Sequence, residues 1–152
     1  MFSGLHQHVL DDKGRLAFPA PLRAALAELT SPDRIVLTLS FFEPCLVATT
    51  EEEFARTAEK IRALPPSNPA VAEFKRVVIA SATTLSIDKA GRVSVPKEHR
   101  DYAGLERDAV WAGVIDKIEL WSKAKWDERN NKRLADRPFL DEARSFFEEH
   151  GI

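Results

Sequence analysis

Two kinds of apolar spacing alternate along this chain. Residues 5–10 (Leu5, His6, Gln7, His8, Val9, Leu10) alternate loosely with the period of a strand. Ile35-Val36-Leu37-Thr38-Leu39 is an apolar run of strand length, and Cys45-Leu46-Val47-Ala48 follows it across Phe41-Phe42-Glu43-Pro44, which predicts a buried strand pair. The period then changes. Phe54, Ala58 and Ile61 fall on one helical face, behind Thr50 and Glu53 at the spacing of a capping box. Leu64-Pro65-Pro66-Ser67-Asn68 stops that helix and is the clearest boundary in the sequence. Asn68 and Pro69 start another helix, with Val71, Phe74, Val77 and Val78 as its apolar stripe. Strands follow at 83–87 and 93–95, and a last strand pair at 110–115 and 118–121 turns at Asp116-Lys117. Ser122 caps a helix holding Trp126 and Leu134, and Pro138 begins a final helix, with Leu140, Ala143 and Phe147 on one face, that ends at Gly151. Two short helices start at prolines: one over 21–27, opened by Pro19 and Pro21, and one from Pro96 to near Gly104. Ser31-Pro32-Asp33 reads as a turn.

The order two strands, short helix, two strands, longer helix occurs twice, and so does one motif. Asp11-Asp12-Lys13-Gly14-Arg15-Leu16-Ala17-Phe18-Pro19 returns as Asp88-Lys89-Ala90-Gly91-Arg92-Val93-Ser94-Val95-Pro96. In that register Leu10 falls on Ile87 and Arg23 on Arg100. The chain is therefore two copies of one small unit. Each motif fits a hairpin with a type I turn closed by a glycine bulge. Asp11 or Asp88 opens the turn by accepting backbone N–H bonds, and Gly14 or Gly91 takes the left-handed position. Leu16 and Phe18 then face one side of the strand and Arg15 and Ala17 the other, and Val93 and Val95 against Arg92 and Ser94 repeat the split. Each copy displays a turn arginine away from the core. The same spacing also allows plain salt bridges, Asp11 with Arg15 and Asp88 with Arg92.

The chain has 152 residues, which is ordinary for one domain, yet each half without its helices is only about 45–55 residues, too small to bury a core alone. The halves are expected to share one. The division expected is a first unit over 1–52, helices around the Pro-Pro break over 53–79, a second unit over 80–124 and C-terminal helices over 125–152. An apolar content of 44% beside 30% charged residues is that of a soluble globular protein. No run approaches the ~18 apolar residues of a membrane span, and the N-terminus lacks the pattern of a signal peptide. Cys45 is the single cysteine, so no intramolecular disulfide forms and a reducing cytoplasm is the expected setting. A net charge of −2 gives no global sign of nucleic-acid binding, which would have to come from clustered cations or from several copies acting together.

Enzymatic signatures are missing: there is no Gly-x-Ser-x-Gly, phosphate-cradling glycine loop or His-Glu-x-x-His. His6, His8 and a distant Cys45 do not make a metal site, and Cys45 reads as core. Glu51-Glu52-Glu53 lies in a helical first turn, where it complements the helix dipole. No enzyme activity, cofactor or metal is expected. The cations carry more information. Lys13, Arg15 and Arg23 recur as Lys89, Arg92 and Arg100, with Lys97 added, and all lie at one end of their unit. Paired about a pseudo-twofold axis, the two ends would form a strip able to follow a duplex, with guanidiniums on phosphates or guanine edges. A solvated mixed-charge face is the competing reading.

The residues Met1-Phe2-x-Gly4, Leu10-Asp11-x-Lys13-Gly14-Arg15-Leu16 with Pro19 and Leu22-Arg23, Pro44-Cys45-Leu46, Asp88-x-x-Gly91-Arg92-Val93 with Pro96 and Arg100, and Lys117-Ile118-Glu119-Leu120-Trp121 with Trp126 resemble the MraZ family. These are bacterial transcriptional regulators built from two domains similar to the SpoVT/AbrB swapped-hairpin fold. The motifs run from residue 1 to about 126, and the lysine of the second copy is shifted by one place. The resemblance implies an α+β fold in which two tandem half-units share a swapped-hairpin β-barrel. It implies a cytoplasmic, nucleoid-associated regulator that binds double-stranded DNA at direct repeats before the division and cell-wall gene cluster, including its own gene. It also implies a homo-oligomeric ring, octameric or larger, with no membrane and no small-molecule ligand. Arg15 and Arg92 are the expected DNA contacts, Lys13, Lys89, Arg23 and Arg100 supporting phosphate contacts, and Asp11, Gly14, Asp88 and Gly91 the turn-orienting residues. Phe139, Phe146 and Trp126 would serve subunit contacts or pack on their own chain. The other class is a ring-forming interaction scaffold or an antitoxin-like binder of a protein partner, although residues 138–150 read as a helix and not as a wrapping tail. A small-molecule sensor would need a pocket that a sequence does not reveal.

Overall fold

The computed structural model describes residues 1–29 and 33–152. The first passage of the chain is β1 (Phe2–Val9), β2 (Arg15–Ala17), α1 (Ala20–Leu29), β3 (Arg34–Leu39), β4 (Leu46–Thr49), α2 (Glu51–Arg62) and α3 (Pro69–Phe74). The second is β5 (Thr83–Ser86), β6 (Arg92–Ser94), α4 (Lys97–Ala103), β7 (Asp108–Ile115) and β8 (Ile118–Ser122), followed by α5 (Lys123–Ala135) and α6 (Arg137–Glu149). The architecture is α+β with antiparallel pairing throughout. Ser31 and Pro32 of the expected turn lie outside the described residues.

Helix starts follow side-chain chemistry. Thr50 Oγ1 accepts the Glu53 N–H at 3.1 Å, Ser122 Oγ that of Lys125 at 3.1 Å, and Asn68 Oδ1 that of Ala70 at 2.9 Å. The expected single helix through Val71 and Val78 departs from the α form. Residues Lys75–Ile79 make a π-helical turn, with the Ala80 N–H donating to Lys75 O at 2.9 Å. The run Val77-Val78-Ile79 is β-branched, and such side chains lose freedom in an α-helix.

Strand pairing corrects the two-hairpin expectation. Each turn closes locally, yet the strands beyond it pair with the other half of the chain. β1 runs along β7, from Phe2 opposite Ile115 to Val9 opposite Asp108, and β5 runs along β3. The main sheet has the order β1-β7-β8-β4-β3-β5, and β2 and β6 form a separate ribbon. The reason is burial. A three-residue strand pairing locally would leave its apolar face in water. By crossing, Phe2, Leu16, Phe18, Leu37 and Leu46 join Leu85, Val93, Val95, Trp111 and Leu120 in one core. The halves do share a core.

The repeat appears as symmetry. Exchanging β1–β4 with β5–β8 turns the sheet order into its own reverse. β3 and β7 begin with the same burial sequence, an exposed residue followed by a buried run, so Leu37 and Trp111 occupy equivalent places. The pseudo-twofold axis passes between Leu16 and Val93, which face each other in the ribbon.

Helices cover the outside unequally. Trp126 of α5 packs edge-on against Trp121 at 5.7 Å, beside Cys45 and Val110, so it stays with its own chain. No residue of α6 is buried, and Phe139, Phe146 and Phe147 are exposed.

Candidate nucleic-acid interface

Both repeated turns form as their residues dictate. In the first, the Asp11 N–H donates to Arg15 O at 2.9 Å and the Gly14 N–H to Asp11 O at 3.1 Å, which is the hydrogen-bond pattern of a turn closed by a glycine bulge. Asp88, Gly91 and Arg92 repeat it with both bonds at 2.9 Å. Gly14 and Gly91 have φ of +78° and +77°, which a residue with a Cβ resists.

The aspartates hydrogen-bond within their own turns. Asp11 Oδ1 accepts the N–H groups of Lys13 at 2.9 Å and Arg15 at 2.8 Å, while Oδ2 takes Arg15 Nε at 2.7 Å. Asp88 Oδ1 accepts from Ala90 and Arg92, each at 2.9 Å. Its Oδ2 stands 3.4 Å from Arg92 Nε, an ion pair without hydrogen-bond geometry. Both carboxyls are held below the ordinary carboxylate range, first by the backbone N–H of the turn arginine and further by its guanidinium.

The ribbon then sets the arginines. Arg15 faces Ser94, Leu16 faces Val93 and Ala17 faces Arg92. Leu16 and Val93 are buried, so Arg15 and Arg92 share the opposite face of the ribbon. They are diagonal neighbours, a pair that stands roughly 7–8 Å apart in such a ladder. Ala17 and Ser94 between them are small and leave the face open. The Arg15 and Arg92 side chains are 33% and 38% exposed. Lys13 and Lys89 are fully on the surface of the two turns. The ion pair uses Nε of Arg15, and among the described residues no hydrogen bond engages its terminal nitrogens. Salt bridge and outward-facing fork are thus compatible.

Each turn is also stitched to the opposite half. The Val95 N–H donates to Gly14 O at 2.9 Å, and the Phe18 N–H to Gly91 O at 2.8 Å. Arg23 and Arg100 are half-buried at the base of the turns. Arg23 Nη2 lies 3.3 Å from Asp33 Oδ1, and Arg100 Nε donates to Val95 O at 3.1 Å. Trp111 is a positioning residue that sequence reasoning missed. Its Nε1–H donates to Ala17 O at 3.0 Å, and its ring meets Phe18 edge-on at 5.2 Å, which ties the ribbon to the sheet. The signal available was a tryptophan in a buried strand, whose N–H needs a partner.

His6 and His8 are half-buried on β1, and among the described residues no group of three or more His, Cys, Asp or Glu is placed to hold a metal. The Cys45 thiol is pushed up to about 12, mainly by burial, and so stays protonated. No described helix is long and apolar enough to cross a membrane.

Comparison with known proteins places the chain in a family. The family model described as "MraZ protein, putative antitoxin-like" matches twice, over residues 1–77 and 78–147. The second match extends past residue 126, into the C-terminal helices. A relative in Desulfitobacterium hafniense is 38% identical, covering 95% of this chain and 96% of its own length. One in Saccharophagus degradans is 41% identical over 83% of this chain and 85% of its own. One in Acetivibrio thermocellus is 38% identical over 84% and 85%. All three bear the name transcriptional regulator MraZ. With both halves matched by one family model, and with relatives this similar along most of its length, the chain belongs to the MraZ family.

Proposed function

We propose that this protein is a sequence-specific, DNA-binding transcriptional regulator whose recognition face is the β2–β6 ribbon with its two turns. The observation that carries the reading is the placement of Arg15 and Arg92 as diagonal neighbours on one open face. A guanidinium fork suits guanine edges and phosphates alike. Lys13 and Lys89 flank them on the exposed turns, and Arg23 and Arg100 stand half-buried at the base of those turns. Asp11 and Asp88 fix the arginine stems, and Gly14 and Gly91 set the turns. The names of the relatives support the same function. In this reading the units 1–52 and 80–124 share a swapped-hairpin barrel, joined by helices over 53–79 and followed by those over 125–152. The exchange of β1 and β5 between halves favours that description.

The target proposed is a set of direct repeats in the promoter of the division and cell-wall gene cluster that includes its own gene, bound in the cytoplasm at the nucleoid. A chain of net charge −2 gains affinity for such repeats by assembling into a ring of eight or more copies. The exposed phenylalanines of α6 are available for subunit contacts. No enzyme activity, cofactor or small-molecule ligand enters the proposal.

The test is titration of a labelled fragment of the gene's own upstream region at two salt concentrations, against a scrambled fragment. Tight binding that prefers the native fragment and is lost in the Arg15→Ala/Arg92→Ala variant, with folding intact, is the expected result. Equal binding to both fragments that modest salt abolishes would be electrostatics alone. That outcome would favour a scaffold or antitoxin-like partner binder.

A further inference from the structure

We infer that Arg23 and Arg100 are crossed positioning residues, each steadying the turn of the opposite half rather than contacting DNA itself. The consequence for binding rests on the DNA reading; the contact does not. Arg100 belongs to α4 of the second half, yet its guanidinium occupies the space into which a side chain at position 14 would grow. Its Cζ and Nε lie 3.0 Å, and its Nη2 3.2 Å, from where a Cβ on Gly14 would sit. Val95 is gripped at both ends, its N–H on Gly14 O at 2.9 Å and its C=O on Arg100 Nε at 3.1 Å. Helix, strand and opposite turn thereby form one closed circuit.

The repeat copies the crossing but not the anchor. Arg23 of α1 places Nη1 3.6 Å from where a Cβ on Gly91 would sit, and Gly91 O accepts the Phe18 N–H at 2.8 Å. Its Nη2 is held by Asp33 at 3.3 Å. A contact that crosses between halves twice, at equivalent positions, is a property of the fold and not an accident of one side chain. Both arginines are half-buried, as Arg15 and Arg92 are, so place and not burial separates the two pairs. Each guanidinium stands against the glycine of the opposite turn, whereas Arg15 and Arg92 lie on the open face of the ribbon. Its effect passes through the turn that aims Arg15 or Arg92.

Two measurements on the full-length protein separate the roles. The first is amide hydrogen exchange without DNA in Arg100→Gln and Arg23→Gln. Arg100→Gln is expected to speed exchange at the amides of Lys13 and Arg15, leaving those of Ala90 and Arg92 unchanged; Arg23→Gln is expected to do the reverse. The second is the salt dependence of binding to the upstream fragment. Affinity is expected to fall roughly fivefold, the effect of one ordinary hydrogen bond, with the slope of log K against log salt unchanged. A slope reduced by about one with quiet turn amides is the signature of a phosphate contact and overturns the inference. So does faster exchange in the turn of the arginine's own half. If glutamine unfolds the protein, Arg→Lys variants are read by the exchange pattern alone, because lysine keeps the charge on which the salt slope depends. Failure of the wild type to prefer its upstream fragment would sink the DNA reading, while the crossed exchange pattern would still decide the contact.

Discussion

At the scale of single residues, the two turn glycines look alike and are predicted to behave differently. Alanine at either position has to accept a left-handed backbone, at a cost of about 1–2 kcal/mol. At Gly91 that is the whole effect, because Arg23 at 3.6 Å is in ordinary contact with a new methyl. At Gly14 the methyl also meets the Arg100 guanidinium at 3.0 Å. Gly14→Ala should therefore destabilise more than Gly91→Ala in urea unfolding, and equal losses would mean that Arg100 does not sit on the turn. The aspartates give a pH prediction. The carboxyls of Asp11 and Asp88 are held below the ordinary carboxylate range in the folded protein, so their ionised forms favour the folded state. That contribution is complete above the unfolded value, near pH 4, and is lost as pH falls through the lowered folded values. Asparagine at position 11 keeps an oxygen for the N–H groups of Lys13 and Arg15 but does not titrate. The melting temperature of Asp11→Asn should thus lie below wild type at neutral pH and approach it as the solution is acidified. A gap that stays constant would show that the charge contributes nothing.

At the scale of elements, the ribbon is only as steady as its attachment to the sheet. Trp111 supplies the Ala17 hydrogen bond and the edge contact with Phe18. Trp111→Phe keeps an aromatic ring but leaves Ala17 O without its donor, which should cost about 1–3 kcal/mol in unfolding experiments. If the ribbon is the DNA-binding face, affinity should fall with it, even though Trp111 is wholly buried. This element shows where sequence reading stops. Thr50 with Glu53, Ser122 and the Asp-x-x-Gly turns were legible because the partners of each interaction lie within a few residues of one another. The partner of β2 was not. Its turn reads as a hairpin, and the local bonds do form, but the competition between β1 and β6 for β2 is decided by burial of Leu16 and Phe18 against residues far along the chain. Arg23 and Arg100 were legible as cations at one end of each unit. Their crossing to the opposite glycine depends on that same exchange. The π-turn at Lys75–Ile79 left only a β-branched run as a trace.

For the whole molecule, the exchange means that neither half owns a core. β1 has only β7 as a sheet neighbour and β5 only β3, so cutting the chain at Pro65-Pro66 strips an edge strand and one arm of the ribbon from each fragment. Neither fragment, 1–65 or 66–152, should fold as a monomer, and mixing them should restore a dispersed NMR spectrum in a 1:1 complex. The pseudo-symmetry raises a competitor, since two identical halves could in principle exchange with each other. Core shape argues against it. Ile35 and Leu37 in the first half stand where Ala109 and Trp111 stand in the second, one pair even in size and the other small and large. Two copies of the first half would lack the ring that fills the space beside Phe18 and would leave Ala17 O without its donor. Two copies of the second would bring two indoles into a core built for one, and overpacking of that kind costs about 1–3 kcal/mol. The mixed complex should therefore outcompete both self-pairs, read by native mass spectrometry of the mixture. Predominant self-pairing would show that the two halves are interchangeable, and the division of labour between Leu37 and Trp111 would carry no weight in holding the fold.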